Sequence, residues 1–143
     1  MAVAVDVVGP RGGTVDAGLA AYADIVVNFF AKELGIGRLK TNIKLKLHHN
    51  LFVSPECEGL CLANDQRNFV IDVALYGNWL STLAHEMVHV KQYIRGELDA
   101  YMTRWKGQQI PYGSRGALKI PYKSQPWEQE AFEKEVDLTE LLW

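Results

Sequence analysis

The chain has 143 residues, of which 48% are hydrophobic and 22% charged, and its formal net charge is −2. This ordinary globular composition suits a single domain spanning residues 1–143 with a real core. No Lys/Arg cluster is dense enough for a nucleic-acid surface, and no apolar run approaches the roughly 20 residues of a membrane span. The N-terminus lacks the features of a signal peptide, so we expect a cytoplasmic protein with neither nucleic-acid nor membrane partners.

A strand and a long helix are predicted at the start of the chain. Residues 2–8 are rich in valine and alanine and end at a Gly-Pro turn, which is typical of a short strand. Thr14 or Asp16 then caps a helix that runs to about Leu34, where glycines stop it.

Three further strands are predicted next. Residues 42–48 alternate strictly between apolar and polar side chains, which indicates a half-buried strand with its last residue, His48, towards solvent. Residues 59–63 and 68–73 predict a hairpin around a polar turn. This hairpin would form the edge of a cleft beside the helix that follows.

The most informative motif is His85-Glu86-Met87-Val88-His89, a His-Glu-x-x-His sequence. On a helix, residues four apart lie about 40° apart around the axis and about 6 Å along it. Two imidazole nitrogens can therefore reach one tetrahedral Zn²⁺ ion. Glu86 lies about 100° around from His85, so we predict that it is the catalytic general base, which takes a proton from a water on the metal.

An apolar stripe supports a helix around this motif. Its members recur at spacings of three and four: Leu80, Leu83, Met87, Val90 and Ile94. Both histidines fall on the far side from the stripe. Asn78 is the expected N-cap and Gly96 the expected end.

The remaining histidines and the cysteines predict no second site. His48 and His49 are expected at the surface. Cys57 and Cys61 would need two further ligands to form a metal site, and only His48 and His49 are candidates. A disulfide over so short a spacing is unusual, and an intracellular protein would keep it reduced, so we expect two ordinary thiols.

The third zinc ligand should be a carboxylate. Catalytic zinc sites normally have three protein ligands and an open position, and no histidine follows His89. A C-terminal helix that begins at Pro126 is rich in acidic residues, and its predicted buried stripe is Trp127, Ala131, Leu138 and Leu142. Glu128 and Glu130 flank this stripe by similar angles, so helical phase does not choose between them.

A loop before that helix contains a small repeat, Ile110-Pro111-Tyr112 and Ile120-Pro121-Tyr122. The prolines predict an irregular extended segment. A sharper hypothesis is a flap over the cleft, in which Tyr122 or Tyr112 offers its hydroxyl to a transition-state oxyanion.

The motif His85-Glu86-x-x-His89, with Glu130-Ala131 downstream, resembles the gluzincin metallopeptidases. In that family the third ligand is a glutamate on a later helix, commonly followed by alanine, which implies Glu130 as the ligand. The chain is also similar to small metallopeptidase-like proteins of phages and bacteria. The resemblance implies an α+β, zincin-like fold: a small mixed or antiparallel sheet, an N-terminal helix, the motif helix and a C-terminal ligand helix.

One position departs from the family pattern. Larger gluzincins carry an acidic residue four positions after the ligand glutamate, where it supports a zinc-bound histidine. This chain has Lys134 there, which leaves Glu133, Asp137 or a backbone carbonyl for that support.

The expected function is zinc-dependent hydrolysis of peptide bonds in a peptide or protein substrate. Residues 59–63 or 68–73 would pair with an extended peptide by strand addition. The alternatives are a non-proteolytic zinc-binding module for recognition or assembly on the same fold, and hydrolysis of a non-peptide bond.

Overall fold

A computed structural model describes residues 3–49, 58–113 and 116–142. Three helices and a four-stranded mixed sheet confirm the α+β class. The elements in chain order are β1 (Val3–Val8), α1 (Ala17–Glu33), β2 (Thr41–His48), β3 (Gly59–Ala63), β4 (Asn68–Ala74), α2 (Trp79–Ile94), β5 (Arg104–Trp105), β6 (Gln108–Gln109) and α3 (Pro126–Leu142).

The sheet has the strand order β1-β2-β4-β3. The first three of these strands are parallel, and β3 runs antiparallel to β4 at the edge. The predicted hairpin is therefore confirmed. Strand addition along residues 68–73 was a wrong expectation, because β4 already pairs with a strand on each side. Of this hairpin, only β3 lies at an edge of the sheet that the described residues form.

The alternation of β2 determines which face of the sheet is covered. Ile43, Leu45 and Leu47 are buried in the core, whereas Asn42 and Lys44 are exposed. Burial of the apolar face removes hydrocarbon from water, which is the main driving force for this packing. Helices α1 and α2 therefore lie against one face, and the opposite face is the polar one.

Helix α1 starts and ends close to the predicted positions. The side chain of its N-cap, Asp16, accepts a hydrogen bond from the Leu19 amide at 3.1 Å. Val26, Val27 and Phe30 are buried in the core. The helix therefore packs through one apolar side, as its sequence rhythm predicts.

Helix α2 is buried on nearly all sides. Asn78 caps it, as predicted, by accepting from the Ser81 amide at 3.3 Å. The predicted stripe is buried, with Ile94 only partly covered. The side that carries the histidines is covered by α3, which begins at Pro126 as predicted and buries Trp127, Ala131 and Leu138.

Two smaller expectations about side chains have different outcomes. His49 is exposed, as predicted. His48 is half-buried, and its Nε2 lies 2.8 Å from Asp72 Oδ1 on β4, so the expectation that it points to solvent was wrong. Cys61 is a free, partly buried thiol, and Cys57 lies outside the described residues.

The described helices include none that is long and apolar enough to cross a membrane.

Candidate metal centre

Three side chains from α2 and α3 converge on one point. His85 Nε2 and His89 Nε2 lie 2.9 and 3.1 Å from the same atom, Glu128 Oε1. One ligand atom from each residue lies within 4.8 Å of the others, and all three residues are less than 9% exposed. The two histidines share a side of α2 because they are one turn apart. This group can hold a metal ion.

The structure brings Glu128, and not Glu130, to the histidines. The Glu130 carboxylate instead accepts hydrogen bonds from Lys91 Nζ at 3.1 Å and Gln92 Nε2 at 2.9 Å. Side chains two positions apart on a helix point about 200° apart, so only one of the pair can face the histidines. The preference for Glu130, drawn from the Glu-Ala signal of the gluzincins, is corrected in favour of Glu128.

The ring of His85 is held from behind by Glu135. His85 Nδ1 lies 2.8 Å from Glu135 Oε1, and Ser81 Oγ donates to the other carboxylate oxygen at 2.5 Å. Glu133 and Asp137, the expected supports, are exposed. Glu135 was not among the predicted supports, because the four-residue spacing of the family pattern was applied from Glu130. Counted from Glu128, Glu135 is two helical turns on and shares its face.

The ring of His89 is held by Gln92, which sequence reasoning also missed. His89 Nδ1 lies 2.8 Å from Gln92 Oε1. The Gln92 amide nitrogen donates to the Trp127 carbonyl and to Glu130, both at 2.9 Å, which fixes the orientation of the amide. The position of Gln92 in the sequence could have indicated this contact, because a residue three positions after His89 lies beside it on the helix.

These contacts determine where the histidine protons lie. Glu135 as a carboxylate and Gln92 Oε1 can only accept, so the Nδ1 atoms of His85 and His89 donate. Without a metal ion, a proton on each Nε2 donates to Glu128 Oε1. Loss of that proton leaves on each Nε2 the lone pair that a metal ion at this point would bind. Such an arrangement of outer partners is common around histidines that bind metals.

The same cluster attracts positive charge strongly. Burial lowers the pKa of His85, but hydrogen bonds to Glu128 and Glu135 outweigh it and raise that pKa to about 10. Burial raises the pKa of Glu128, but hydrogen bonds from His85 and His89 outweigh it and lower that pKa to about 2. A divalent cation would supply the positive charge that protons otherwise provide.

Glu86 lies beside the metal-capable group, against β3. It is 7% exposed, and burial raises the pKa of its carboxyl group, although His89 and His85 oppose this. A Cβ on Gly59 would lie 2.5 Å from Thr82 Cγ2 and 3.0 Å from Glu86 Oε2. Glycine therefore allows β3 to lie close enough to α2 to form a wall beside Glu86.

A cavity of about 590 Å³ opens beside this group, and His85, Glu86, His89 and Glu128 all line it. Tyr122 also lines it. Burial raises the pKa of its hydroxyl, and the negative charges of Glu128 and Glu86 add to the rise. Tyr112 does not line the cavity, and its hydroxyl donates to the Met102 carbonyl at 2.6 Å. Of the two candidate tyrosines, the structure therefore brings only Tyr122 to the site.

The fold and the site together describe an α+β protein with a buried His-His-Glu group that can hold a metal ion. Comparison with protein-family models, with curated proteins and with solved structures finds no match for this chain.

Proposed function

We propose that this protein is a zinc-dependent peptidase of the gluzincin type with a zincin-like fold. His85, His89 and Glu128 are its zinc ligands, and Glu86 is its general base. The observation that carries the proposal is the convergence of three buried ligand atoms at a cavity that Glu86 also lines.

The donor set favours zinc. Two neutral imidazoles and one carboxylate, with a fourth position open, are the ligands of several catalytic zinc sites. The fixed Nδ1–H groups of both histidines fit this role, because each leaves Nε2 free to bind. A zinc ion held by His85, His89 and Glu128 would lower the pKa of a bound water towards about 7 and polarise a carbonyl group.

Glu86 moves the proton in this mechanism. Its carboxylate accepts the proton of the attacking water and returns it to the leaving amine. The position of Glu86 suits the task, because its buried carboxyl group lines the same cavity as the three ligand side chains. Tyr122, on the cavity wall, is the candidate donor to the developing oxyanion.

The substrate binds along β3. This strand is at the edge of the sheet, and Gly59, Leu60 and Cys61 line the cavity. An edge strand can pair with an extended peptide through its backbone groups. Such a peptide would pass beside Glu86, because β3 lies directly against that residue.

The decisive test is Glu86→Gln, compared with Glu133→Gln as a matched control at an exposed position of α3. Zinc content is measured by mass spectrometry, and cleavage of a mixed peptide library is measured with and without a chelator. We expect Glu86→Gln to keep zinc and to lose cleavage, while the control keeps both. Cleavage that persists in Glu86→Gln at the wild-type rate contradicts the mechanism.

The same assay separates the peptidase from the alternatives. A wild-type protein that binds zinc but cleaves no peptide is either a zinc-binding recognition or assembly module or a hydrolase of a non-peptide bond. The buried carboxyl group of Glu86 at the cavity favours catalysis, because a binding module has no need of a base there.

A further inference from the structure

Two large aromatic side chains remain exposed at the mouth of the cavity. Phe132 is 43% exposed and Tyr122 is 54% exposed, yet both line the cavity together with His85 and Glu128. Their rings meet edge to face, with centroids 5.9 Å apart and planes at 89°. We call these two residues the aromatic wall.

The aromatic wall reaches the metal-capable group directly. The ring centroid of Phe132 lies 4.7 Å from that of His85. Phe132 follows Glu128 by one turn of α3, so the two side chains lie on one side of the helix. One turn further on, Val136 is also exposed, at 52%, but it does not line the cavity. The exposed ring of Phe132 therefore faces the cavity, whereas the exposed side chain of Val136 does not.

The opposite boundary of the cavity is β3. Gly59 and Leu60 line the cavity there, and the proposed peptide substrate lies along this strand. In an extended peptide, successive side chains point to opposite sides of the strand. A substrate on β3 would therefore direct alternate side chains across the cavity.

The charges that line the cavity are of one sign apart from the two histidines. Four carboxyl groups line it, and no Lys or Arg is among its described lining residues; the four are Glu58, Glu86, Glu128 and Glu135. A bound divalent ion offsets only two of these charges. An acidic substrate side chain would therefore be repelled, and a neutral apolar one would not.

We propose that Phe132 and Tyr122 form the specificity pocket of the enzyme, which takes a large apolar side chain, preferably aromatic, next to the bond that is cleaved. Acidic side chains are excluded from this position. The inference rests on the proposed peptidase function. It adds a substrate class, peptides with a bulky apolar residue at the cleavage site.

The test uses dipeptide hydroxamates, which chelate zinc and are not cleaved. The probes differ in one side chain, which is benzyl, isobutyl, methyl or carboxyethyl. Their affinities for zinc-loaded wild type, Phe132→Ala, Tyr122→Ala and Tyr122→Phe are measured by calorimetry. Val136→Ala is the matched control, because it shortens an exposed side chain on the same helix outside the cavity.

We expect wild type to bind the benzyl probe about tenfold more tightly than the methyl probe, which corresponds to apolar burial plus one aromatic contact. The carboxyethyl probe should bind most weakly. Phe132→Ala and Tyr122→Ala should reduce the benzyl-to-methyl ratio towards one. Val136→Ala and Tyr122→Phe should keep it, since the latter retains the ring.

Several outcomes overturn the pocket. An unchanged ratio in Phe132→Ala and Tyr122→Ala, an equal loss for every probe, or a tightly bound carboxyethyl probe each contradict it. Failure of every probe to bind does so as well. Peptide cleavage by wild type decides the proposed function separately. A preference for the benzyl probe without peptide cleavage supports the pocket and contradicts the peptidase function. Peptide cleavage without a side-chain preference supports the peptidase function and contradicts the pocket.

Discussion

Helix α2 has two sides that are equally buried but chemically opposite. On its core side, Leu80, Leu83, Met87 and Val90 pack into one apolar cluster. On its α3 side, His85, His89 and Gln92 meet carboxylates and a backbone carbonyl. The core side needs only shape and hydrophobicity, and many side chains satisfy that need. On the α3 side each of these polar atoms has a particular partner, because burial of an unpaired polar group is costly.

This contrast separates stability from function within a single helix. Apolar contacts on the core side stabilise the fold and carry no chemistry. The α3 side concentrates two imidazoles and several carboxyl groups in a buried place, which structural needs alone do not explain. Five substitutions, in descending order of expected effect, test whether the two sides are as separate as their chemistry indicates.

The largest effect is expected on the core side. Leu83→Ala removes a fully buried side chain and should lower the free energy of unfolding by about 2–5 kcal/mol, because it leaves a cavity in the core. Denaturant unfolding of the zinc-free protein measures this. Zinc affinity of the folded fraction should stay within about threefold of wild type, because the effects of independent sites add to within roughly a factor of two. A loss of zinc from the folded protein would show that the two sides are coupled.

Glu128→Ala should abolish high-affinity zinc binding. Loss of an outer partner alone typically costs about 10- to 100-fold in metal affinity, and loss of a direct ligand should cost more than that. Glu130→Ala is the matched control two positions away, and it should lose at most about tenfold, because it acts only through Gln92 and Lys91. Competition with a zinc-binding dye measures both. The reverse order of effects would restore Glu130 as the ligand.

Glu135→Gln should lower zinc affinity by about 10- to 100-fold, because the His85 ring loses its negatively charged acceptor. The same titration measures it. Glu133→Gln, at an exposed position nearby on α3, should bind zinc as wild type does. If both variants bind equally well, the contact between His85 and Glu135 has no part in metal binding.

Gly59→Ala tests the close approach of β3 to α2. The new Cβ meets Thr82 Cγ2, and we expect a loss of about 1–3 kcal/mol in unfolding free energy from overpacking. Thr82→Ala removes the closest atom, whereas Glu86 Oε2 stays 3.0 Å from the new Cβ, so the double variant should regain part of this loss. Thermal unfolding of the single and double variants measures the rescue, and a double variant no better than Gly59→Ala would contradict this contact.

The smallest effect is expected at the start of α2. Asn78→Ala removes the side chain that caps the Ser81 amide and should lower the free energy of unfolding by about 1 kcal/mol. Asn78→Asp keeps an oxygen acceptor and should lose much less. Denaturant unfolding compares the two, and equal losses would mean that the cap contributes little. Zinc affinity should not change in either variant.

Features set by neighbouring residues were predictable from the sequence. The His85-Glu86-x-x-His89 side of α2, the caps at Asp16 and Asn78, and the alternation of β2 follow from helix and strand periods. The absence of a later histidine predicts a carboxylate in the group, and the acidic C-terminal helix that the sequence favours does supply Glu128 beside the two histidines. These features depend on local geometry, which a sequence specifies directly.

Features set by the contact between distant elements required the tertiary structure. Glu128 and Glu130 were equivalent in helical phase, and the packing of α3 on α2 separated them. Glu135 and the pairing of Tyr112 with the Met102 carbonyl likewise depend on how loops and helices meet. The rotation of α3 against α2 is decided by the burial of Trp127, Ala131 and Leu138 against the rest of the core. Local periodicity gives the face of a helix, but only tertiary packing determines what that face contacts.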